Sequence, residues 1–268
     1  MKKAVLAVVA IILVCGVLFT GCTKKASSGL TIRPGVLMIG MEIGYPPMEY
    51  YDADGVTPIG FDVELGKALA AKMGIKVQFI DTAWEGIFAG VDTGRYDCII
   101  SSVTITPARL HAHNFSKPYV ANTLAMVLPK GSSLKARTPS DLAGLDVAFQ
   151  ADTTSDFYME ELAAKGLRYT PRRYDKVMYC FDDLRMNRAD AIVTDLLVAY
   201  DYIAPASSPF EIVWTSDEPE VFGICMKKGN DALTQAIDSA LDELFANGTM
   251  LAISNKIFGM DLVSAARH

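Results

Sequence analysis

The chain has 268 residues, 51% of them hydrophobic and 21% charged, which is the composition of a globular protein with one large or two modest cores and not of a disordered one. Its 25 basic and 31 acidic residues give a net charge of −6; without the first 22 residues, which hold Lys2 and Lys3 and no acid, 23 basic and 31 acidic residues leave −8. Such a surface has little to replace phosphate counterions, so nucleic acid is excluded as a partner.

Lys2 and Lys3 precede an apolar run from Ala4 to Phe19. The run is shorter than the roughly 20 residues of a membrane span and fits the apolar region of a secretory signal. It ends in Phe19-Thr20-Gly21-Cys22, followed by the polar Thr23-Lys24-Lys25-Ala26-Ser27-Ser28-Gly29. A small residue before a Cys at this place resembles the bacterial lipobox, with Phe19 where Leu is usual. The resemblance implies a signal peptide over 1–22, lipid attachment at Cys22 and a tether over 23–34. Cys98, Cys180 and Cys225 remain, an odd number without CxxC spacing. Cys98, in the run Cys98-Ile99-Ile100, is expected to be a small buried hydrophobe.

Strand and helix patterns then alternate. Val36 to Met41 reads as a strand. Asp62 reads as the cap of a helix reaching Met73, with Phe61, Leu65, Leu69 and Met73 at helical spacing and Gly74 as the stop. Ile75 to Ile80 is a strand, Trp84 to Val91 a helix and Asp97 to Ser101 a strand. This βαβαβ order predicts a parallel, doubly wound sheet. After Pro139 the pattern restarts: strand 146–149, helix 155–165, strand 168–170, helix 175–187, strand 189–194 and helix 196–203. Tyr119 to Pro129 and Val221 to Met226 are extended and apolar. Asp231 to Ala246 is an amphipathic helix. Two α/β lobes joined by two extended crossings explain the order, with lobe one at 35–121 and 223–268 and lobe two at 122–222.

Ligands of open parallel sheets bind where strands lead into helix N-termini. Three stretches stand at such places. In the first, Thr106-Pro107 reads as a cap and first helical residue, which puts Arg109 in the first turn as a carboxylate receptor. Gln150-Ala151-Asp152-Thr153-Thr154 is a second strand-to-helix turn with hydroxyls at the cap; an ordinary N-cap is the plainer reading of it. Asp195 ends an apolar strand and suits an ammonium group, or simply caps the next helix. A cation for a carboxylate and an anion for an amine are what an α-amino acid needs.

The runs Tyr45-Pro46-Pro47-Met48-Glu49-Tyr50, Gly60-Phe61-Asp62-Val63-Glu64-Leu65, Trp84-Glu85-Gly86-Ile87, Gly94-Arg95-Tyr96-Asp97 through Arg109, Asn114 to Tyr119 and Phe222-Gly223-Ile224 occur in this order. Together they resemble the family 3 periplasmic solute-binding proteins of ABC transporters, over essentially Val36 to Asp261. The resemblance implies a two-lobed α/β periplasmic-binding-protein fold of type II that closes on a polar or charged amino acid. It implies that Arg109 grips the ligand carboxylate with backbone at Thr104 and Thr154, and that Ser102, the Thr104 hydroxyl and Asp195 take the ammonium. Tyr45 and Trp84 are implied to sandwich the ligand side chain, and Glu42 and Ser101 to face its far end; Gln150 and Thr153 complete the site. Asp152 departs from the family, which usually has Gly before the Thr pair, and Ile257 stands where the family usually has Trp. The implied partners are a small-molecule amino acid, an ABC permease and, through the lipid, a membrane, with the protein itself a monomer.

Glu42 stands where histidine, lysine and arginine binders of the family usually carry an acid. Arginine is therefore the first expected ligand, then lysine or histidine, with glutamine or cystine as the alternative. An enzyme resembling the periplasmic dehydratases on this scaffold would need a general acid, for which Glu42 or Asp152 could serve. His111, His113 and His268 are too few and too scattered for a metal site, and no cofactor is expected. No GxSxG, Walker or GxGxxG pattern is present.

Overall fold

The structure is a computed structural model that describes residues 29–267. The expected signal peptide, Cys22 and the tether up to residue 28 lie outside the described residues.

Lobe one opens with β1 (Val36–Met41), the hairpin of β2 (Tyr50–Tyr51) and β3 (Pro58–Ile59), and α1 (Phe61–Met73). It continues with β4 (Lys76–Asp81), a 3-10 turn over Trp84–Gly86 that runs into α2 (Ile87–Asp92), β5 (Cys98–Ile99), α3 (Pro107–Ala112) and β6 (Asn114–Phe115). β7 (Val120–Asn122) crosses to lobe two. There follow β8 (Leu124–Pro129), β9 (Asp146–Gln150), α4 (Thr154–Ala164), β10 (Thr170–Tyr174), α5 (Val177–Arg185), β11 (Ala191–Asp195), α6 (Leu196–Ile203) and β12 (Phe210–Thr215). β13 (Glu220–Phe222) crosses back, and β14 (Cys225–Met226), α7 (Asp231–Ala246) and α8 (Thr249–Phe258) complete lobe one.

Each lobe is built on one five-stranded sheet, in the orders β4-β1-β5-β14-β6 and β10-β9-β11-β8-β12. The parallel part is the expected one: β1 between β4 and β5, and β9 between β10 and β11. The strands nearest the crossings run the other way. β14 is antiparallel to β5, and β8 is antiparallel to β11, because each is entered directly from a crossing and not over a helix. The crossings pair with each other, Asn122 opposite Glu220 and Val120 opposite Phe222. This two-stranded ribbon ties the lobes together.

The helical spacing of Phe61, Leu65 and Leu69 places all three in the core with Leu37, Ile39 and Met41 of β1 and Ile237 and Leu241 of α7. Truncating one of them, such as Leu65→Ala, costs about 2–5 kcal/mol.

Two expectations are corrected. Asp62 is not the cap of α1. The helix starts two residues earlier, after Gly60, and its first N–H groups donate to Pro47 O (Phe61 N, 3.1 Å) and Met48 O (Asp62 N, 2.9 Å). Only glycine fits there: Gly60 has φ +121°, and a Cβ would stand 2.3 Å from Met48 O. The strand expected at 168–170 is β10 at 170–174, an exposed edge whose Pro171, Arg172 and Arg173 imitate a loop. β12 and α8 answer to no element of the sequence reading.

The segment before β1 is fixed to lobe one. Ile32 N and Met38 N donate to the two carboxylate oxygens of Asp97, at 2.6 Å and 2.7 Å, and Thr31 is buried. Cys98, Cys180 and Cys225 are all buried as free thiols.

Candidate functional site

The ends of β1 and β5 in lobe one face the ends of β9 and β11 in lobe two, and between them lies a cavity with about 320 Å3 of space between atoms, part of it continuous with solvent. Every side chain singled out for ligand binding lines it, together with one that was not, Glu49.

At one end stands Arg109. Thr106 caps α3 by accepting from Arg109 N at 3.2 Å, which fixes the residue in the first turn. Its guanidinium donates from Nη1 to Thr104 O at 2.9 Å and lies 5.5 Å from the ring centre of Trp84 and 5.3 Å from that of Phe88. The ion pairs of the described residues include none to Arg109, and burial pulls its pKa down. Opposite it, Asp195 ends β11. Asp195 does not cap α6; its oxygens accept from Tyr45 OH at 2.6 Å and Asn122 Nδ2 at 2.9 Å. Burial, and then the neighbouring charge of Glu220, raise its pKa.

The other end is acidic. Glu42 is 2% exposed and follows β1 directly. Its Oε2 accepts from Gln150 Nε2 of lobe two at 2.7 Å, and that amide also donates to Asp175 O at 2.9 Å. Glu42 Oε1 is buried without a partner. Burial raises the Glu42 carboxyl to about 7, against the opposing hydrogen bond from Gln150 and the nearby charge of Lys176. Lys176 reaches over from lobe two to donate to Ile43 O at 3.3 Å.

Glu49 sits beside Glu42. Ser101 Oγ donates to Glu49 Oε1 at 2.6 Å and accepts from Glu42 N at 3.0 Å, so its hydroxyl is spent on lobe one itself. Behind Glu49 lies Asp62, 0% exposed, which accepts from Ser102 N at 2.7 Å and Tyr119 OH at 2.9 Å. Burial and their mutual repulsion push Glu49 well up, and burial does the same for Asp62. Repulsion between the two disfavours charging both at once. This buried pair braces Ser101 and Ser102, the latter held at φ +50° with its Oγ unpartnered.

The turn into α4 is an N-cap in fact: Thr153 Oγ1 accepts from Asp156 N at 3.4 Å and donates to Gln150 O at 2.8 Å. Asp152 has φ +59°, the conformation that explains why Gly is usual there. Its carbonyl accepts from Trp84 Nε1 across the lobes at 3.1 Å. Its side chain lines an outer groove, not the cavity.

Among the described residues, no three His, Cys, Asp or Glu side chains gather as a metal site, and no helix is long and apolar enough to cross a membrane.

Sequence reasoning missed Glu49, Asn122 and Glu220. Glu49 carried a signal, a lone acid inside the apolar run Pro46-Pro47-Met48-Glu49-Tyr50. Glu220 lies in the acidic stretch Asp217-Glu218-Pro219-Glu220, which reads as a solvated loop.

A profile of bacterial extracellular solute-binding proteins, family 3, matches residues 37–260. The chain is 30% identical over 261 residues to the L-cystine-binding protein TcyJ of Escherichia coli (strain K12), covering 97% of each. It is 29% identical over 237 residues to the L-arginine-binding protein of Pseudomonas aeruginosa, covering 84% of this chain and 88% of that protein. An ancestral arginine-binding protein bound to arginine has a similar structure, with a TM-score of 0.80, 34% identity and coverage of 84% of this chain and 99% of that one.

Proposed function

The chain belongs to the bacterial extracellular solute-binding proteins, family 3, and from that premise we propose that it captures an amino acid between its lobes and presents the closed form to an ABC permease. The Arg109 and Asp195 end takes the α-carboxylate and α-ammonium. Closure follows from contacts that only the two lobes together can make, namely Glu42 with Gln150, Tyr45 with Asp195, and Trp84 with Asp152.

A cationic amino acid, arginine first and then lysine or histidine, is the ligand best supported. The observation that carries this reading is the buried, unpartnered Oε1 of Glu42 at the far end, with Glu49 beside it. An acceptor so placed calls for a charged donor, and a flat guanidinium also suits the faces of Trp84 and Tyr45. One observation favours a second reading. Lys176 brings a positive charge beside Glu42, and a far end with both signs suits the second zwitterion of cystine, which the relative from Escherichia coli binds by name. A thermal-shift panel of the common amino acids and cystine, on protein stripped of ligand by unfolding and refolding, tests both. Arginine should give the largest rise in Tm; stabilisation by cystine or glutamine alone would sink the cationic reading.

Lipid attachment at Cys22 would hold the protein outside the cytoplasm on a membrane. Cys22→Ser should then release it from membranes and abolish lipid labelling; equal membrane retention of the variant would overturn the anchor.

A further inference from the structure

Glu220 opens β13 and lines the outer groove, behind the cavity wall. Its Oε2 accepts from three donors: Asn122 Nδ2 at 3.3 Å, Thr104 Oγ1 at 3.4 Å and Thr154 Oγ1 at 3.4 Å. Each bond is long, but the donors come from three parts of the molecule. Asn122 is on the first crossing, Thr104 in lobe one, and Thr154 at the first position of α4 in lobe two. Both threonines line the cavity. Asn122 Nδ2 also serves Asp195, so one amide joins the two carboxylates.

The backbone says which of these bonds depends on closure. Glu220 pairs with Asn122 across the ribbon, and Thr104 is bridged to Phe222, with Ile105 N donating to Val221 O at 2.9 Å. The ribbon is tied to both lobes, since Asn122 also donates to Asp195 Oδ1 at 2.9 Å and accepts from Leu197 N at 3.5 Å in lobe two. Thr104 is in lobe one and Thr154 in lobe two, so Glu220 can hold both hydroxyls at once only when the lobes meet. The direction of the bonds matters as well. A hydroxyl that donates to Glu220 has only lone pairs left for the cavity.

We infer that Glu220 is a positioning residue of the site: it latches the two lobes together by holding Thr104 and Thr154 at once, and turns their hydroxyls so that they offer acceptors to a ligand ammonium. It does not touch the ligand. This inference rests on the reading of the cavity as an amino-acid site.

The test uses Glu220→Ala and Glu220→Gln in the full chain, with L-arginine and L-cystine as probes and tryptophan fluorescence in stopped flow, on a Trp214→Phe background that leaves Trp84 as the reporter, as the readout. The dissociation rate of the bound probe should rise roughly tenfold or more in the alanine variant, while the association rate stays within about threefold. The glutamine variant keeps one acceptor oxygen and should fall between it and wild type. A merely structural role would lower the fraction of competent protein and leave the dissociation rate of that fraction unchanged. Dissociation within about twofold of wild type in the alanine variant overturns the latch. Small-angle scattering without added ligand gives an arm independent of ligand identity: the alanine variant should show the larger radius of gyration, and superimposable curves count against the inference. Wild-type protein that binds neither probe nor any other amino acid sinks the functional reading instead, and the scattering arm then decides on Glu220.

Discussion

At the Arg109 end of the cavity a guanidinium and the carboxylate of Asp195 face the same space, while at the Glu42 end two carboxyl groups, Glu42 and Glu49, line it with the amide of Gln150. Only the guanidinium half of the first end is set by local geometry, since Asp195 arrives from lobe two and is held by Tyr45 and Asn122, 150 and 73 residues away. Thr106 caps the turn that carries Arg109, and Arg109 binds the carbonyl of Thr104, five residues away. The second end is assembled from afar: Glu42 meets Gln150 at a separation of 108 residues, and Glu49 meets Ser101 at 52. The difference teaches how the labour divides. On the reading proposed above, a short segment encodes the carboxylate receptor, whereas the ammonium receptor and the discrimination between side chains both depend on the two lobes arriving in register.

The sharpest way to break this comparison is to remove the common receptor. Arg109→Ala should weaken every ligand by about 2–5 kcal/mol, because a buried carboxylate is left unpaired. Asp195→Ala should cost a similar amount through the ammonium. Titration calorimetry checks both; a variant binding within about threefold of wild type removes that residue from the site. At the other end the loss should be selective. Glu42→Gln should cost an arginine ligand about 1.5–3 kcal/mol, the worth of a hydrogen bond to a charged group, and a neutral ligand less than about threefold. Equal losses for both would erase the distinction between the ends.

Acidity sharpens it further. Burial holds the Glu42 carboxyl at about 7, so a cation must displace a proton to pair with it. Affinity for arginine should rise with pH up to about 7, by at most about tenfold per unit from this group, and Glu42→Gln should flatten that part of the profile. Stability of the ligand-free protein should move the opposite way. Between the usual 4.5 of a glutamate and about 7 the folded state keeps a proton that the unfolded state has released. The contribution of Glu42 is therefore complete below 4.5 and lost as pH rises through about 7. Melting scans across this range check the sign. The smallest effect is expected at Asp152, where Gly should relieve the left-handed backbone for a gain of about 1 kcal/mol or less. Its bond from Trp84 uses only the carbonyl, so calorimetry should give affinity within about twofold of wild type.

The same contrast governs what was legible in the sequence. α6 and α7 lie at the residues the periodicity predicts, since each begins at a clear boundary and keeps one apolar face. Arg109, the Gln150–Thr154 turn and Asp195 were legible as strand-to-helix boundaries, whereas Glu42, Tyr45 and Trp84 were reached only through the family resemblance. Asp62 was misread because its position before an apolar run looks like a cap, and only the folded loop shows that Pro47 and Met48 already serve those N–H groups. β10 hides because an edge strand has no need of apolar residues on either face. Glu49 and Glu220 find their partners 52 and 116 residues away, and no local pattern reports such a meeting.

Asp97 gathers Ile32 and Met38 onto lobe one beside β5. The described residues just ahead of β1 thus join the fold at lobe one. If the molecule is held at a surface by that segment, lobe one is the stator: its orientation is inherited from the surface, and lobe two does the swinging. A docking partner would then meet one face that is already oriented and one whose arrival reports that the cavity is filled. The machine would need no separate signal of occupancy, because the moving part and the reporting part are the same lobe.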